Sequence, residues 1–509
     1  MSIAGNNPSD KISQLFEMVK ELGEFVERAA IEGGALYDVE RGAFDRLLKM
    51  GQIMIDRFLV MQGDGNLGEI ASASNGQPIY RSVEPVSRPL RTIFGQHQLS
   101  AYVYRERAHP NTAIVFRPID ARMSLSPSSW SPLLEEFTQL FSIEHAFDPA
   151  AEAFQRIFRQ KLSVDTLKRV NQRMGEEAGE FLLNLDVPPV AEEGELLVLT
   201  SDGKGVPMVK ADALRLECFE ERPPRPGNRR MATLAGVYSV DRFVRTGQQI
   251  LAALFRDGRE ESMPDEPRPE PCHKRIIARF PQWLEETDAT TSVSGSLLAL
   301  SWAGDQVEQR RQPKQKLICL MDGQSSLWKM ARLCSDTVPD DDRVEILDIV
   351  HVSSDVWKAA KALHDGRADQ EALTRERLRR ILGGEVKGVI MGLRQMATRH
   401  LGEAGRKEIE TVCGYFTTHA DRMHYDRYLA AGYPIATGVI EGACRHLVKD
   451  RMERSGMRWT QIGAQAMLDV RSVHQSAYWN EFHRQRITTQ NEANKPYQTL
   501  IEKIEILAA

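Results

Sequence analysis

Apolar positions along the chain fall into two textures. Between about residues 10 and 60 they recur at helical spacing, with Ile12, Leu15, Phe16, Val19 and Leu22 on one side. From about 86 to 122 they alternate and become β-branched, in Arg91-Thr-Ile-Phe-Gly, Leu99-Ser-Ala-Tyr-Val-Tyr and Ala113-Ile-Val-Phe. That pattern predicts a small antiparallel sheet. Helical spacing returns from about 130 to 185, where Ala151-Glu-Ala-Phe-Gln-Arg-Ile-Phe-Arg and Val164-Asp-Thr-Leu-Lys-Arg-Val flank a short link. Ser163 is placed to cap the second helix, since its hydroxyl can accept a free backbone N–H. Two helices joined this tightly suit a helix-turn-helix, with Lys168, Arg169 and Arg173 available to phosphates or base edges. An ordinary helical hairpin with solvated cations fits the same residues.

Strand texture resumes at Leu196 and recurs at Thr233-Leu-Ala-Gly-Val-Tyr-Ser-Val and Leu317-Ile-Cys-Leu-Met. The Pro-rich, charged interval Glu261 to Pro271 interrupts it as a surface loop. Glu345-Ile-Leu-Asp-Ile-Val-His-Val reads as a further buried strand, after which Ser353 and Ser354 cap a helix carrying Val356, Trp357 and Ala360. From there to about 430 the pattern is helical and highly charged. A chain of 509 residues needs two to four domains, and 42% hydrophobic with 27% charged residues is a globular composition.

Charge and cysteine content narrow the chemistry. A formal net charge of -5 argues against a wholly basic coat but leaves room for local basic clefts. The six cysteines are scattered without a C-x-x-C pair, so neither a zinc ribbon nor a disulfide framework is legible and a reducing compartment is expected. The amino terminus lacks the basic and apolar regions of a signal peptide, and no run of 18 apolar residues occurs. A cytoplasmic, nucleoid-associated protein with no membrane contact is the expectation.

Three acidic residues stand in distinctive frames. Asp202 follows Leu196-Leu-Val-Leu-Thr-Ser, and Gly203 and Gly205 after it would let the backbone turn sharply. The Walker pattern is missing, so Lys204 is not a P-loop lysine. Asp322 repeats the frame: apolar strand, Asp, Gly, polar residues. Each also suits a simple turn at a strand end. Asp348 and His351, three apart where a strand passes into a helix, read as supporting residues. If 439–455 is helical, Glu441, Arg445 and Lys449 fall on one stripe, with Ile440, Cys444, Leu447 and Val448 on the adjoining apolar face. A solvated salt-bridge ladder would give the same stripe. Arg451, Arg454 and Arg458 lead on to Trp459, a combination suited to backbone contact and base stacking, although Trp459 could equally be core. Gly456 is the expected helix end.

These frames together resemble the DDE transposases of bacterial insertion sequences, above all the ISKra-type family and more loosely the Mutator-like enzymes. The resemblance is carried by Ser201-Asp-Gly-Lys-Gly-Val-Pro-Met, Cys319-Leu-Met-Asp-Gly, Leu347-Asp-Ile-Val-His and Gly438-Val-Ile-Glu-Gly-Ala-Cys-Arg-His-Leu-Val-Lys-Asp-Arg-Met. Tyr415-Phe, His419, Arg422, Met423 and Met457-Arg-Trp extend it, as do Arg91-Thr-Ile-Phe-Gly and Pro118-Ile-Asp upstream. It implies an α/β protein with an RNase H-like catalytic core and a helical insertion before the Glu helix. A mostly helical N-terminal DNA-binding region with a small β segment would precede that core. In residues, this is a helical region 1–85, a β module 86–125, a helix-turn-helix candidate 126–190, core 191–360, insertion 361–430, core 431–490 and tail 491–509.

The resemblance further implies that Asp202, Asp322 and Glu441 are catalytic and hold two Mg²⁺ ions, with Mn²⁺ as a substitute. Asp348 and His351 match the Asp/Cys-x-x-His signature of the Mutator-like group. Arg445, Lys449, Arg451, Arg454, Arg458, Trp459, Lys168, Arg169 and Arg173 would contact DNA, both element ends and target. Joining two ends implies a homodimer or higher assembly. Arg105-Glu-Arg-Ala-His-Pro has no cysteines where the resemblance implies Cys pairs, so no zinc site is expected. Two other classes compete. One is a domesticated or inactive transposase-derived DNA-binding protein. The other is a haloacid-dehalogenase-type phosphatase, which expects Asp two residues beyond Asp202, where Lys204 stands.

Overall fold

The structure is a computed structural model that describes residues 8–107, 109, 112–219, 227–258, 267–286, 289–454 and 456–504. Most of the Pro-rich interval Glu261 to Pro271 lies outside those residues. The chain divides into two compact units, one of residues 1–170 and 479–509, the other of 171–478.

The first unit begins with two helices, Pro8–Glu32 and Leu36–Met61. Six short strands follow: β1 (Ile70–Ser72), β2 (Pro78–Arg81), β3 (Val86–Thr92), β4 (Gly95–Ala101), β5 (Tyr104–Arg105) and β6 (Ile114–Phe116). β1-β2-β5-β6 form one antiparallel sheet and β3-β4 a separate hairpin. The β region therefore starts at Ile70, not at 86. Strands of three and four residues are too short to announce themselves by alternation. Helices Pro132–Glu144 and Phe147–Phe158 come next, then the first turns of Val164–Leu183, whose residues from 171 on belong to the second unit; Phe154, Leu162, Leu167 and Val170 share one buried cluster with Trp130 and Leu134. The C-terminal segment belongs to this unit as well. Tyr497 stacks on Phe116 at 4.3 Å between ring centroids, and Arg486 donates to Glu135 at 2.8 Å. The expected division at 490 thus falls inside the Trp479–Ala493 helix, and the core piece ends near 478.

The second unit is built on a mixed five-stranded sheet. Its members are β7 (Leu196–Pro207), β8 (Arg229–Val240), β9 (Cys272–Arg279), β12 (Lys316–Met321) and β13 (Arg343–Leu347), in the order β13-β12-β7-β8-β9. A separate hairpin is formed by β10 (Gln282–Glu286) and β11 (Ala289–Val293). β7, β8 and β9 run as an antiparallel meander, whereas β12 and β13 lie parallel to β7. The parallel strands are near-continuous apolar runs because both faces are covered. Helices Arg367–Leu382, Val386–His400, Glu403–His419 and Tyr425–Ala430 fill the interval before Glu441 and share one buried cluster with the parallel strands. Among the described residues no helix is long and apolar enough to cross a membrane.

Two local expectations change. β7 does not turn at Gly203; it continues to Pro207 because β8 pairs with it along its whole length, Asp202 opposite Leu234 and Pro207 opposite Arg229. Ile349 to Val352 are helical and not extended. The Asp348 carboxylate accepts the Val350 and His351 N–H groups and so opens the Ile349–Leu363 helix, which places Ser353 and Ser354 inside it.

Candidate active site

Register sets the first three carboxylates. Met321 on β12 pairs with Ser201 on β7 and with Leu347 on β13. The next residue in each case is acidic: Asp202 within β7, Asp322 just past the end of β12 and Asp348 just past the end of β13, so the three follow from adjacent strands in one row. β7–β12 pairing stops at this level, which leaves Asp202 and Asp322 only half-buried.

Asp348 is fully buried and ties the site together. Its Oδ1 accepts from the Val350 and Thr437 N–H groups at 3.2 Å, and its Oδ2 lies 2.7 Å from His351 Nδ1. Ile349 N–H donates to Ile435 at 3.0 Å, so the end of β13 is stitched to the segment that opens the Gly438–Ala443 helix. Glu441 lies on that helix, its N–H bonded to the Thr437 carbonyl. Ligating atoms of Asp348, His351 and Glu441 lie within 4.8 Å of one another. Asp202, Asp322 and Glu441 do not form so tight a group among the described residues.

Electrostatics join all five. Burial pushes the Asp322 carboxyl above its ordinary range; the Gln324 N–H opposes this, and the charges of Asp202 and Asp348 reinforce it. Burial also raises Glu441, with Asp348 and Asp202 adding to the shift and His351 opposing it. The hydrogen bond to Asp348 lifts the His351 imidazole to about 9 against the pull of burial, and the Asp348, Asp322 and Glu441 charges contribute. Each shift reports anionic groups crowded into a partly dry pocket.

Cys444 is a site residue that the sequence placed only on an apolar face. Its thiol donates to Asp202 Oδ2 at 3.1 Å, and burial together with the Asp202 charge keeps it protonated. It sits three residues after Glu441, so one helix presents both groups to the pocket. Asp202 Oδ1 accepts the Gly203 N–H at 2.6 Å, and Asp322 Oδ1 accepts the Gln324 N–H at 3.0 Å. Tyr415 and the buried His419 pack beside Asp322, where any side chain at Gly323 would collide with the Tyr415 ring. The Asp-Gly spelling of this frame was the available signal.

The expected cationic stripe changes most. Residues 444–449 form a π-helical turn and not an α-helix, so the i, i+4, i+8 spacing from Glu441 does not hold. Arg471, itself buried, donates to the His446 and Leu447 carbonyls within that turn. Arg445, Lys449, Arg454 and Arg458 are exposed. Arg451 and Trp459 are not available to DNA: both are buried, with the guanidinium 4.9 Å from the indole centroid and the indole N–H on the Met452 carbonyl. Trp459 also exchanges backbone hydrogen bonds with Pro207 and Val209, which anchors the end of β7. The helix ends at Met452, and Gly456 takes a left-handed conformation in the turn beyond. In the first helical tract, Lys168 and Arg169 are exposed beside Asp165 and Thr166, and Arg173 lies 3.9 Å from Glu177.

No family model and no curated protein matches this chain.

Proposed function

We propose that the chain is a metal-dependent DNA transposase that cuts the ends of its element and joins them to target DNA, acting from an RNase H-like core. The observation that carries this reading is Asp202 on β7 and Asp322 at the end of the adjacent parallel β12, with the Asp202 charge raising both Asp322 and Glu441, which stands on a separate helix. The sheet order supports the same reading, with a three-stranded antiparallel meander extended by two parallel strands. Crowded oxygen donors, two of which (Asp322 and Glu441) are raised by burial and by neighbouring carboxylates, are a donor set that a hard divalent cation relieves, so the residues fit Mg²⁺ or Mn²⁺. A pair of such ions, when bound, supplies activation of the attacking hydroxyl and charge neutralisation at the phosphodiester.

The chain's own residues do the rest. Asp202, Asp322 and Glu441 provide the oxygen ligands. Cys444 fixes the rotamer of Asp202, and Asp348 fixes both the His351 ring and the start of the Glu441 helix. Exposed Arg445, Lys449, Arg454 and Arg458 are the phosphate contacts on this side, and Lys168 and Arg169 serve the end-reading helices.

The test uses supercoiled DNA carrying the sequences that flank the coding region, incubated with the protein and Mg²⁺. Wild type is expected to nick and join. Asp202→Asn, Asp322→Asn and Glu441→Gln should each lose at least about 10²–10³-fold, the scale for removing one preorganised electrostatic group. A variant that retains both steps takes that residue out of the catalytic set. Wild type that binds this DNA without nicking it points to the inactive DNA-binding alternative.

A further inference from the structure

The strand ladder lets go of the chain just before Asp322. β12 ends at Met321, and from there the backbone is held by groups outside the sheet. The indole of Trp328, buried in the Ser325–Cys334 helix, donates to the Asp322 carbonyl at 2.7 Å. The Gly323 main chain hydrogen-bonds both the Tyr415 hydroxyl and the His419 ring. Those two rings stand 4.8 Å apart in the last turns of the Glu403–His419 helix, within the insertion. Gly323 does not take the left-handed conformation that favours glycine; what its missing side chain accommodates is the Tyr415 ring.

Arg422 connects these contacts. Its guanidinium lies 4.4 Å from the Trp328 ring centroid, and it donates to His419 Nδ1 at 3.2 Å and to Glu345 Oε2 at 2.6 Å. Arginine has no acceptor, so Nδ1 must accept and the imidazole proton sits on Nε2, the nitrogen left for Gly323. Glu345, on β13, also takes Arg332 of the Ser325–Cys334 helix at 2.9 Å. Packing alone does not ask for this arrangement. The Glu403–His419 helix buries Ile409, Val412, Cys413 and Phe416 in the core on an adjoining face, and its attachment is secured there. Its polar groups converge instead on the residue that follows Asp322.

We infer that Tyr415, His419 and Arg422 are positioning residues: the end of the insertion fixes the Asp322–Gly323 turn and thereby holds the Asp322 carboxylate beside Asp202. The inference rests on the cation-site reading of Asp202, Asp322 and Glu441, and it gives the insertion a task within that site. A carboxylate beyond the end of a strand needs such support, because a ligand is only as well placed as the main chain that carries it. Loss of an outer partner of a metal ligand typically costs about 10–100-fold in affinity.

Mn²⁺ binding by the full chain without DNA, read by electron paramagnetic resonance, tests it. Wild type should bind. Tyr415→Phe keeps the ring and loses the hydroxyl, and should weaken binding about two- to tenfold, the span of one hydrogen bond. Arg422→Lys keeps a charge for Glu345 but cannot also reach His419 and cover Trp328, so at least about a tenfold loss is expected. Gly323→Ala should lose as much, by collision with the Tyr415 ring. Adding Tyr415→Ala removes the collision, so that double variant should bind no worse than Tyr415→Ala alone. Gly414→Ala, beside Tyr415 with open space around it, should bind as wild type does. Losses that simply add in the double variant, or wild-type affinity in Tyr415→Phe and Arg422→Lys alike, would overturn the inference and leave the cation site standing. A wild type without Mn²⁺ affinity would remove the cation-site reading itself, and the inference with it.

Discussion

The sheet unit and the N-terminal hairpin treat apolar residues in opposite ways. Along β7 and β12 nearly every apolar side chain is fully buried, and the acidic side chains Asp202 and Asp322 come only where β7–β12 pairing stops. Along the two N-terminal helices, by contrast, Val19, Val26, Phe44, Leu47, Met54 and Phe58 stay exposed. A regular apolar pattern therefore states that a face must be covered, without stating by what. In the sheet, helices of the same unit do the covering, and the acidic row stands out against a complete core.

Stability measurements separate the two regions most sharply. Leu320→Ala in β12 should destabilise the protein by about 3–5 kcal/mol in denaturant unfolding, the range for a cavity in a packed core. Leu47→Ala in the hairpin should change protomer stability by less than about 0.5 kcal/mol, as for other exposed positions. Equal losses would erase the contrast. Next in size is Asp348→Ala, which strands the Val350 and Thr437 N–H donors in a dry setting. A cost of about 1–3 kcal/mol per buried unsatisfied donor is expected. Asp348→Asn keeps one acceptor oxygen and should recover part of that loss, whereas a site held open by other contacts would show no difference between the two variants.

Smaller effects probe the charge crowding. Folded-state values of Asp322 and Glu441 lie above their ordinary ones, so their contribution to stability is present at acidic pH and lost as pH rises through the folded values. At neutral pH, Asp322→Asn should therefore raise the melting temperature of metal-free protein and abolish most of the further rise that Mg²⁺ gives wild type. A fall in melting temperature would mean that Asp322 stabilises the fold. The smallest effect concerns His351, raised from 6.5 to about 9. Its stabilising contribution should be complete below about pH 6.5 and disappear as pH rises through about 9. His351→Gln should flatten that stretch of the metal-free stability curve. An unchanged curve would detach the imidazole from Asp348.

Much of the site was legible because its frames are local. An apolar run ending in Asp-Gly marks β7 and β12, and Val-Ile-Glu-Gly-Ala marks the Glu441 helix. What escaped was decided by neighbours distant in sequence. Gly203 and Gly205 look like a turn, but pairing with β8 holds them extended. Asp348 sits among Ile and Val that favour a strand, and its carboxylate caps a helix instead. The stripe of Arg445 and Lys449 assumed a regular helix, whereas the chain makes a π-turn whose carbonyls receive Arg471. Arg451 and Trp459 have the composition of a nucleic-acid contact, but they form a buried cation–π pair that anchors β7.

Direct titration with Mn²⁺, followed by electron paramagnetic resonance in the absence of DNA, bears most closely on the shared site. Wild type should bind the ion, and Asp202→Asn, Asp322→Asn and Glu441→Gln should each weaken binding by at least about tenfold, the low end for perturbing a metal site. Asp450→Asn, an exposed acid outside the pocket, should bind as wild type does. Three variants that retain wild-type affinity would contradict the proposal that these carboxylates hold a common cation site.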